Sequence, residues 1–275
     1  MARPTAIEMP DCEPIPILYE DRSVLVIDKP RGWMLIPHTW QRTDFNLQAA
    51  ITSSIAARDY WATSRGLKFL RFVHRLDGDT SGLLLFAKSL GAVKAFGDIF
   101  EGRRMGKTYL AVAVGEPREA EWLCQLKLGP DPRHYGRQRV DFRTGKTAET
   151  HFKVLTRKGP FTLIECRPVT GRTHQIRLHL AESGLPIAGD ELYGRREHGL
   201  ELGLRAIRLT YQDPFTRRLV DIRAGTEEFL QEYRFAPTDY TFPPSTRPPS
   251  VKSGKMAVDE PESDDEFDSD EPEGE

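Results

Sequence analysis

The sequence predicts an α+β domain. Strand patterns occur in neighbouring pairs rather than in a regular strand–helix–strand alternation, and the few helical patterns lie scattered between them. Composition sets the limits. Of 275 residues, 39% are hydrophobic and 29% charged, an ordinary balance for a soluble protein. That is enough apolar material for one domain of about 230 residues or two smaller ones. No run of 18 or more apolar residues occurs, so no membrane-spanning helix is expected. The opening, MARPTAIEMPDCEPIP, lacks an apolar signal core, and Cys12, Cys124 and Cys166 form no CxxC pattern. A cytoplasmic protein with reduced thiols and no zinc site is the expectation.

The elements follow in order. After the Pro-rich opening, residues 23–28 (SVLVID) read as a strand stopped by Lys29-Pro30. Residues 46–57 read as a helix. Leu83-Leu84-Leu85-Phe86-Ala87, opened by Gly82, reads as a strand buried on both faces. Ser89 caps a helix whose Ala92, Val93, Phe96, Ile99 and Phe100 share one face, and Gly102 ends it. Strands are expected over 107–114, 150–155 and 161–166, the last two joined by a Lys158-Gly159-Pro160 turn. Residues 173–183 read as a short helix with Ile176 and Leu180 inward. Strands over 205–211 and 218–223 precede a helix over 227–235 capped by Thr226. From Pro237 the composition turns to Pro, Ser and acid, so the folded unit is expected to end near Ala236.

The net charge of −2 hides a division. Residues 259–275 carry eleven acids and no base, which leaves 39 basic residues against 30 acidic ones over 1–258, formally +9. A basic body with a disordered acidic tail is the footprint of a protein that meets polyanions.

Two segments carry the chemistry. In RFVHRLDGDTSGLLLFAK, residues 71–88, the ionisable residues His74, Arg75, Asp77 and Asp79 precede the buried strand. One reading is a surface turn built on Gly78 and Asp79. The other is that Asp77 is a reactive carboxylate held on a rigid strand end. In TGRTHQIRLH, residues 170–179, Arg172 and Arg177 could belong to a solvated basic helix. His174 and His179 lie five apart, which fits no familiar zinc spacing.

Taken together, HRLDGDTSGLLLFAK (74–88) and GRTHQIRLH (171–179) resemble two signature motifs of the RluA-type RNA pseudouridine synthases. ILYEDRSVLVIDKPRGW (17–33), KTYLAVAVG (107–115) and GLPIAGDELYG (184–194) resemble three further family segments, all in family order over residues 17–235. The resemblance implies a mixed, mostly antiparallel sheet divided by a central catalytic cleft, with flanking helices. It implies conversion of uridine to pseudouridine in ribosomal or transfer RNA, with no cofactor, metal or nucleotide. It places the essential carboxylate at Asp77, its ion-pair partner at Arg177 and the base-stacking tyrosine at Tyr109. Arg75 resembles the residue that enters the RNA stack when the base leaves; His74 and Arg172 are expected to face RNA.

The implied organisation is an extension over 1–16, a catalytic domain over 17–236, and a Pro-rich linker with acidic tail over 237–275. The histidine of the first motif is displaced, with Met34-Leu35-Ile36-Pro37-His38 where the family often has Val-His-Pro. Only 16 residues precede that motif, so RNA selection is expected from the catalytic domain itself. The expected contributor is DPRHYGRQRVDFRTGK, residues 131–146, where Arg133, Arg137, Arg139, Arg143 and Lys146 interleave with Tyr135 and Phe142. RNA is the expected partner of a monomeric enzyme. The rival readings are a silent RNA-binding or ribosome-assembly protein of the same fold, and a glycosidase. The glycosidase would need a second carboxylate, and none stands out beyond Asp79.

Overall fold

The computed structural model describes residues 3–9, 12–35, 45–194 and 199–245. The displaced histidine at 38 and the acidic tail over 259–275 lie outside the described residues. Strands β1 (Ala6–Ile7), β2 (Ile15–Glu20) and β3 (Val24–Lys29) precede helices α1 (Leu47–Ala56) and α2 (Tyr60–Thr63). Then come β4 (Arg71–Phe72), β5 (Ser81–Ala87), α3 (Leu90–Glu101) and β6 (Gly106–Val114). Strands β7 (Glu121–Pro130), β8 (Gln138–Val140), β9 (Lys146–Lys158) and β10 (Phe161–Pro168) follow without a break. Helix α4 (Gln175–Glu182), strands β11 (Leu204–Gln212) and β12 (Leu219–Arg223) and helix α5 (Glu227–Glu232) come next, and a single 3-10 turn (Pro237–Asp239) ends the order.

All described strands join one mixed sheet in the order β1-β2-β3-β5-β11-β6-β10-β9-β7-β8, with β12 on β11 and β4 on β5. Among the named strands of the described residues, only the β11–β5 pairing is parallel. That junction unites two antiparallel wings: β1 to β5, and β6 to β10. Gly82 makes the junction possible. Its φ is +109°, and a Cβ there would stand 2.1 Å from the Ala206 carbonyl oxygen, so only glycine lets β5 approach β11. The wings are also tied by Arg205, which forks onto Asp28 at 3.0 and 2.6 Å and reaches Ser81 Oγ at 3.3 Å.

Strand β5 is buried along its full length, as its apolar run predicts. Leu84 and Phe86 pack on one side with Leu47 and Ile51 of α1, Trp61 of α2, and Ile176 and Leu180 of α4. Leu83, Leu85 and Ala87 pack on the other side with Ala92, Phe96 and Ile99 of α3. A strand covered by helices on both faces is stiff, and its ends are fixed points. The caps of α1 and α3 are as the sequence predicts, with Asn46 accepting from the Ala49 amide and Ser89 from the Ala92 amide.

Several expectations are corrected. Thr226 makes no side-chain cap; the Glu227 carboxylate instead accepts from the Thr226 amide at 3.0 Å. Packed chain continues past Ala236, because Tyr240 is buried in the cluster with Phe229 and Tyr233, and Phe242 packs against it. Residues before 17 also fold: Ile7 is fully buried, and β1 pairs with β2. Strand β7 was not foreseen. Its Trp122, Cys124, Leu126 and Leu128 turn inward, but outward Leu123, 46% exposed, breaks the alternation that would betray it. Strand β9 starts at Lys146, well before the expected 150, so Lys146 sits in a strand opposite Leu128. All three cysteines are unpaired. Among the described residues, no helix is long and apolar enough to cross a membrane.

Candidate active site

Asp77 lies in the loop that enters β5, where Gly82, Ala206 and Tyr109 stand side by side across β5, β11 and β6. The loop is clamped from below. Lys29, the last residue of β3, is completely buried, and its Nζ donates to the carbonyls of Pro30, Trp33 and Gly78 at 2.8, 2.9 and 2.7 Å. Burial lowers the Lys29 pKa to about 7, opposed by the charges of Asp79 and Asp77. The Thr80 amide closes the turn onto the Asp77 carbonyl at 3.2 Å. The Asp77 side chain keeps 24% exposure.

The structure brings Arg177 to Asp77, Nη1 to Oδ2 at 3.6 Å. That distance is an ion pair rather than a hydrogen bond. The tight partner of Arg177 is Asp190, to which Nε and Nη2 donate at 2.8 and 2.7 Å in a bidentate fork. Asp190 also accepts from the Leu192 and Tyr193 amides at 2.9 and 3.1 Å, and its side chain has no exposure. Burial would raise its pKa, but the Arg177 guanidinium and these amides hold it below the usual carboxylate range. Arg177 in turn is pushed above its ordinary value, since the hydrogen bonds and charge of Asp190 outweigh its burial. The expectation that Asp77 is the partner of Arg177 is therefore corrected in degree. Asp190 anchors the arginine, and Nη1 is left pointing toward Asp77.

Helix α4 is placed by buried polar contacts. His174 precedes it in the left-handed region, φ 53°, without a side-chain cap. Gln175 supplies the missing anchors: its Oε1 accepts from Thr170 Oγ1 and the Arg172 amide at 2.6 and 2.9 Å. Its Nε2 donates to the Glu149 carbonyl and Thr150 Oγ1, both at 2.9 Å. Lys107 Nζ steadies the same turn by donating to the Thr170 carbonyl at 2.9 Å. Burial, with the charge of Arg103 adding, brings the Lys107 pKa down to about 8.

Tyr109 is 9% exposed on β6. Burial raises its phenol pKa well above the ordinary value, and the nearby Asp77 charge raises it further, so the hydroxyl stays neutral. Arg75 is exposed, with Nη2 at 3.4 Å from Thr173 Oγ1 across the gap to the α4 segment. His74 is held by contacts within the fold. Its Nε2 accepts from the Leu85 amide at 3.1 Å, and its ring stacks on Phe100 at 4.7 Å. Burial, and then the charge of Lys107, push its pKa down to about 3, so it is a neutral acceptor locked into the fold.

The basic segment forms an arch from β7, β8 and β9. Asp131 and Asp141 cap its two turns by accepting from the Arg133 and Arg143 amides, each at 2.9 Å. Arg133, Arg139, Arg143 and Lys146 are exposed; Tyr135 is 84% and Phe142 69% exposed. Arg139 makes only a loose surface pair with Asp141, 3.6 Å. Arg172 is exposed beside the arch, its Nε donating to the Thr147 carbonyl at 3.2 Å. Arg137 is half-buried, its guanidinium 5.2 Å from the Tyr193 ring centroid.

Sequence reasoning passed over Lys29, Lys107, Gln175, Asp190 and Tyr193. The signal for Asp190 was present in the Gly-Asp pair of the 184–194 segment, but an aspartate after glycine reads first as a turn former. It also revives the question of a second acid. Asp190 cannot serve as one, because a carboxylate with four hydrogen bonds and no solvent access has no proton to give.

Fold and site together present a part-exposed carboxylate at a strand lip, paired with a buried arginine, beside an exposed basic arch. The family model described as RNA pseudouridylate synthase matches residues 23–182. The chain is 38% identical over 188 residues to the uncharacterized RNA pseudouridine synthase YhcT of Bacillus subtilis, covering 68% of this chain and 60% of that protein. It is 35% identical over 226 residues to the ribosomal large subunit pseudouridine synthase C of Escherichia coli, covering 78% of this chain and 67% of that one. The structure of human RNA pseudouridylate synthase domain containing 1 superposes with a TM-score of 0.61 at 26% identity, covering 76% of this chain and 82% of that one. The chain belongs to the RNA pseudouridylate synthase family.

Proposed function

We propose that this protein isomerises specific uridines in ribosomal or transfer RNA to pseudouridine, with Asp77 as the essential group. The observation that carries the reading is the position of Asp77. It stands at the lip of a strand buried on both faces, part-exposed, 3.6 Å from an arginine whose own place is fixed elsewhere. The reaction breaks the N1–C1′ bond, turns the uracil and joins C5 to C1′. Substrate and product contain the same atoms, so no co-substrate is required.

The target base has to leave the RNA stack, at a cost of a few kcal/mol. Arg75, exposed beside Thr173, is the residue to fill the gap, and the Tyr109 ring is the surface on which a flat base can rest without one edge being pinned. Asp77 acts as its carboxylate, either by attack on the sugar or as a base toward it. The arch, with Arg172 beside it, holds the flanking phosphates through Arg133, Arg139, Arg143 and Lys146. The naming of the Escherichia coli relative as a ribosomal large subunit enzyme favours ribosomal RNA, and the work of such an enzyme is cytoplasmic. Mapping pseudouridines in total RNA from cells with and without the protein tests the reading. Loss of one or a few sites, restored by the wild-type gene and not by Asp77→Asn, is expected. An unchanged map would reject it in favour of a silent RNA-binding protein.

A further inference from the structure

We propose that Tyr193 is a positioning residue that couples RNA docking on the arch to the placement of Arg177 against Asp77; this deepens, and rests on, the function proposed above. Tyr193 is where three parts of the site meet. Its ring meets two guanidinium groups, with Cζ of Arg137 at 5.2 Å and Cζ of Arg177 at 5.5 Å from the centroid. Its hydroxyl accepts from the Gln138 amide at the start of β8, 2.8 Å, and stands 2.9 Å from Nδ1 of His174. Its own amide donates to Asp190, the carboxylate that anchors Arg177. The ring packs in a small apolar cluster with Leu178 of α4 and Leu128 and Ala148 of the arch, so arch and helix share it.

The hydroxyl ties both sides together: it accepts from the Gln138 amide and shares a hydrogen bond with Nδ1 of His174. That bond fixes the ring of the residue held at φ 53° just before α4, three positions ahead of Arg177. An RNA phosphate engaging the outer edge of Arg137 leaves its face on the Tyr193 ring, since a guanidinium can stack and hydrogen-bond at once. Docking on the arch therefore orders Arg137, Tyr193 and the first turn of α4 together. The Nη1 group of Arg177, held at 3.6 Å from Asp77 before RNA arrives, is the end of that chain of contacts.

The test uses the purified full chain and three readouts: RNA affinity, single-turnover pseudouridine formation at saturating RNA, and melting temperature. Tyr193→Phe keeps the ring and removes both hydroxyl contacts. It is expected to lower the single-turnover rate about tenfold while affinity stays within about threefold and the melting temperature changes little. Arg137→Ala is expected to weaken affinity and lower the saturated rate. The double variant is expected to lose no more rate than Tyr193→Phe alone, because the two residues act through one path. A merely structural tyrosine would move melting temperature and affinity with the rate. A wild-type rate in Tyr193→Phe, or losses that multiply in the double variant, would overturn the coupling while leaving the enzyme reading intact. A wild-type protein that forms no pseudouridine on any RNA would overturn both.

Discussion

Two loops each bring one aspartate to the same arginine, and they treat it differently. The loop before β5 leaves Asp77 with 24% side-chain exposure, 3.6 Å from Arg177. The loop after α4 encloses Asp190 completely and gives it four hydrogen bonds, two of them from Arg177. A carboxylate that must react needs spare lone pairs and an approach for the substrate. One that must hold a cation in place needs neither. The pair shows how one arginine can be anchored and still present a charged edge to a second, part-exposed carboxylate.

The largest effect that sharpens this contrast is on turnover. Asp77→Asn should reduce pseudouridine formation by at least about 10³-fold, with RNA affinity within a few-fold. Its folding stability should change by less than about 1 kcal/mol, because the pair it loses is long and part-exposed. Retained activity near wild type would remove Asp77 from the chemistry.

Asp190→Ala should reverse the pattern. It leaves a buried guanidinium without its bidentate partner, a change that costs about 3 kcal/mol or more in folding stability. Denaturant unfolding of the two variants side by side reads this directly, and equal midpoints would erase the distinction between the loops.

A smaller effect concerns the clamp beneath Asp77. As pH rises through about 7, the Lys29 ammonium becomes an amine with two hydrogens for three carbonyls, and the positive charge under the loop is lost. Activity should fall along this limb. Stability should move the other way: the folded pKa lies below the ordinary 10.5, so between about 7 and 10.5 the unfolded chain binds more protons and folding gains as pH rises. A pH–rate profile with melting curves at the same pH values checks both signs. In Lys29→Met the limb should vanish at a reduced rate. The smallest effect falls on Tyr109. Tyr109→Phe keeps the flat ring and should be milder than Tyr109→Ala in single-turnover assays; equal losses would give the hydroxyl a chemical role.

The same contrast marks what the sequence made legible. The place of Asp77 could be read because it interrupts nothing: a charged turn followed by Leu83-Leu84-Leu85-Phe86-Ala87 announces a rigid strand with a residue at its lip. Helix α3 was plain for a similar reason, with its apolar face and serine cap both local. Asp190 was hidden because its partner is thirteen positions back on another element, and spatial pairing of that kind leaves no period in the chain. The bond of His74 was hidden for the same reason, since nothing in its motif says that the fold turns its nitrogen onto the Leu85 amide. The packing of Tyr240 beyond Ala236 escaped notice because a single tyrosine in Pro-rich sequence carries no pattern.

The most direct test of the central claim is a paired measurement on Asp77→Asn and Asp190→Asn. Single-turnover pseudouridine formation, scaled to the folded fraction, would be set against the denaturation midpoint of each protein. A working and an anchoring carboxylate predict a crossing: Asp77→Asn inactive at a wild-type midpoint, and Asp190→Asn less stable but retaining measurable turnover. An Asp77→Asn protein that still turns over, or an Asp190→Asn protein as inert as Asp77→Asn at an unchanged midpoint, would contradict it.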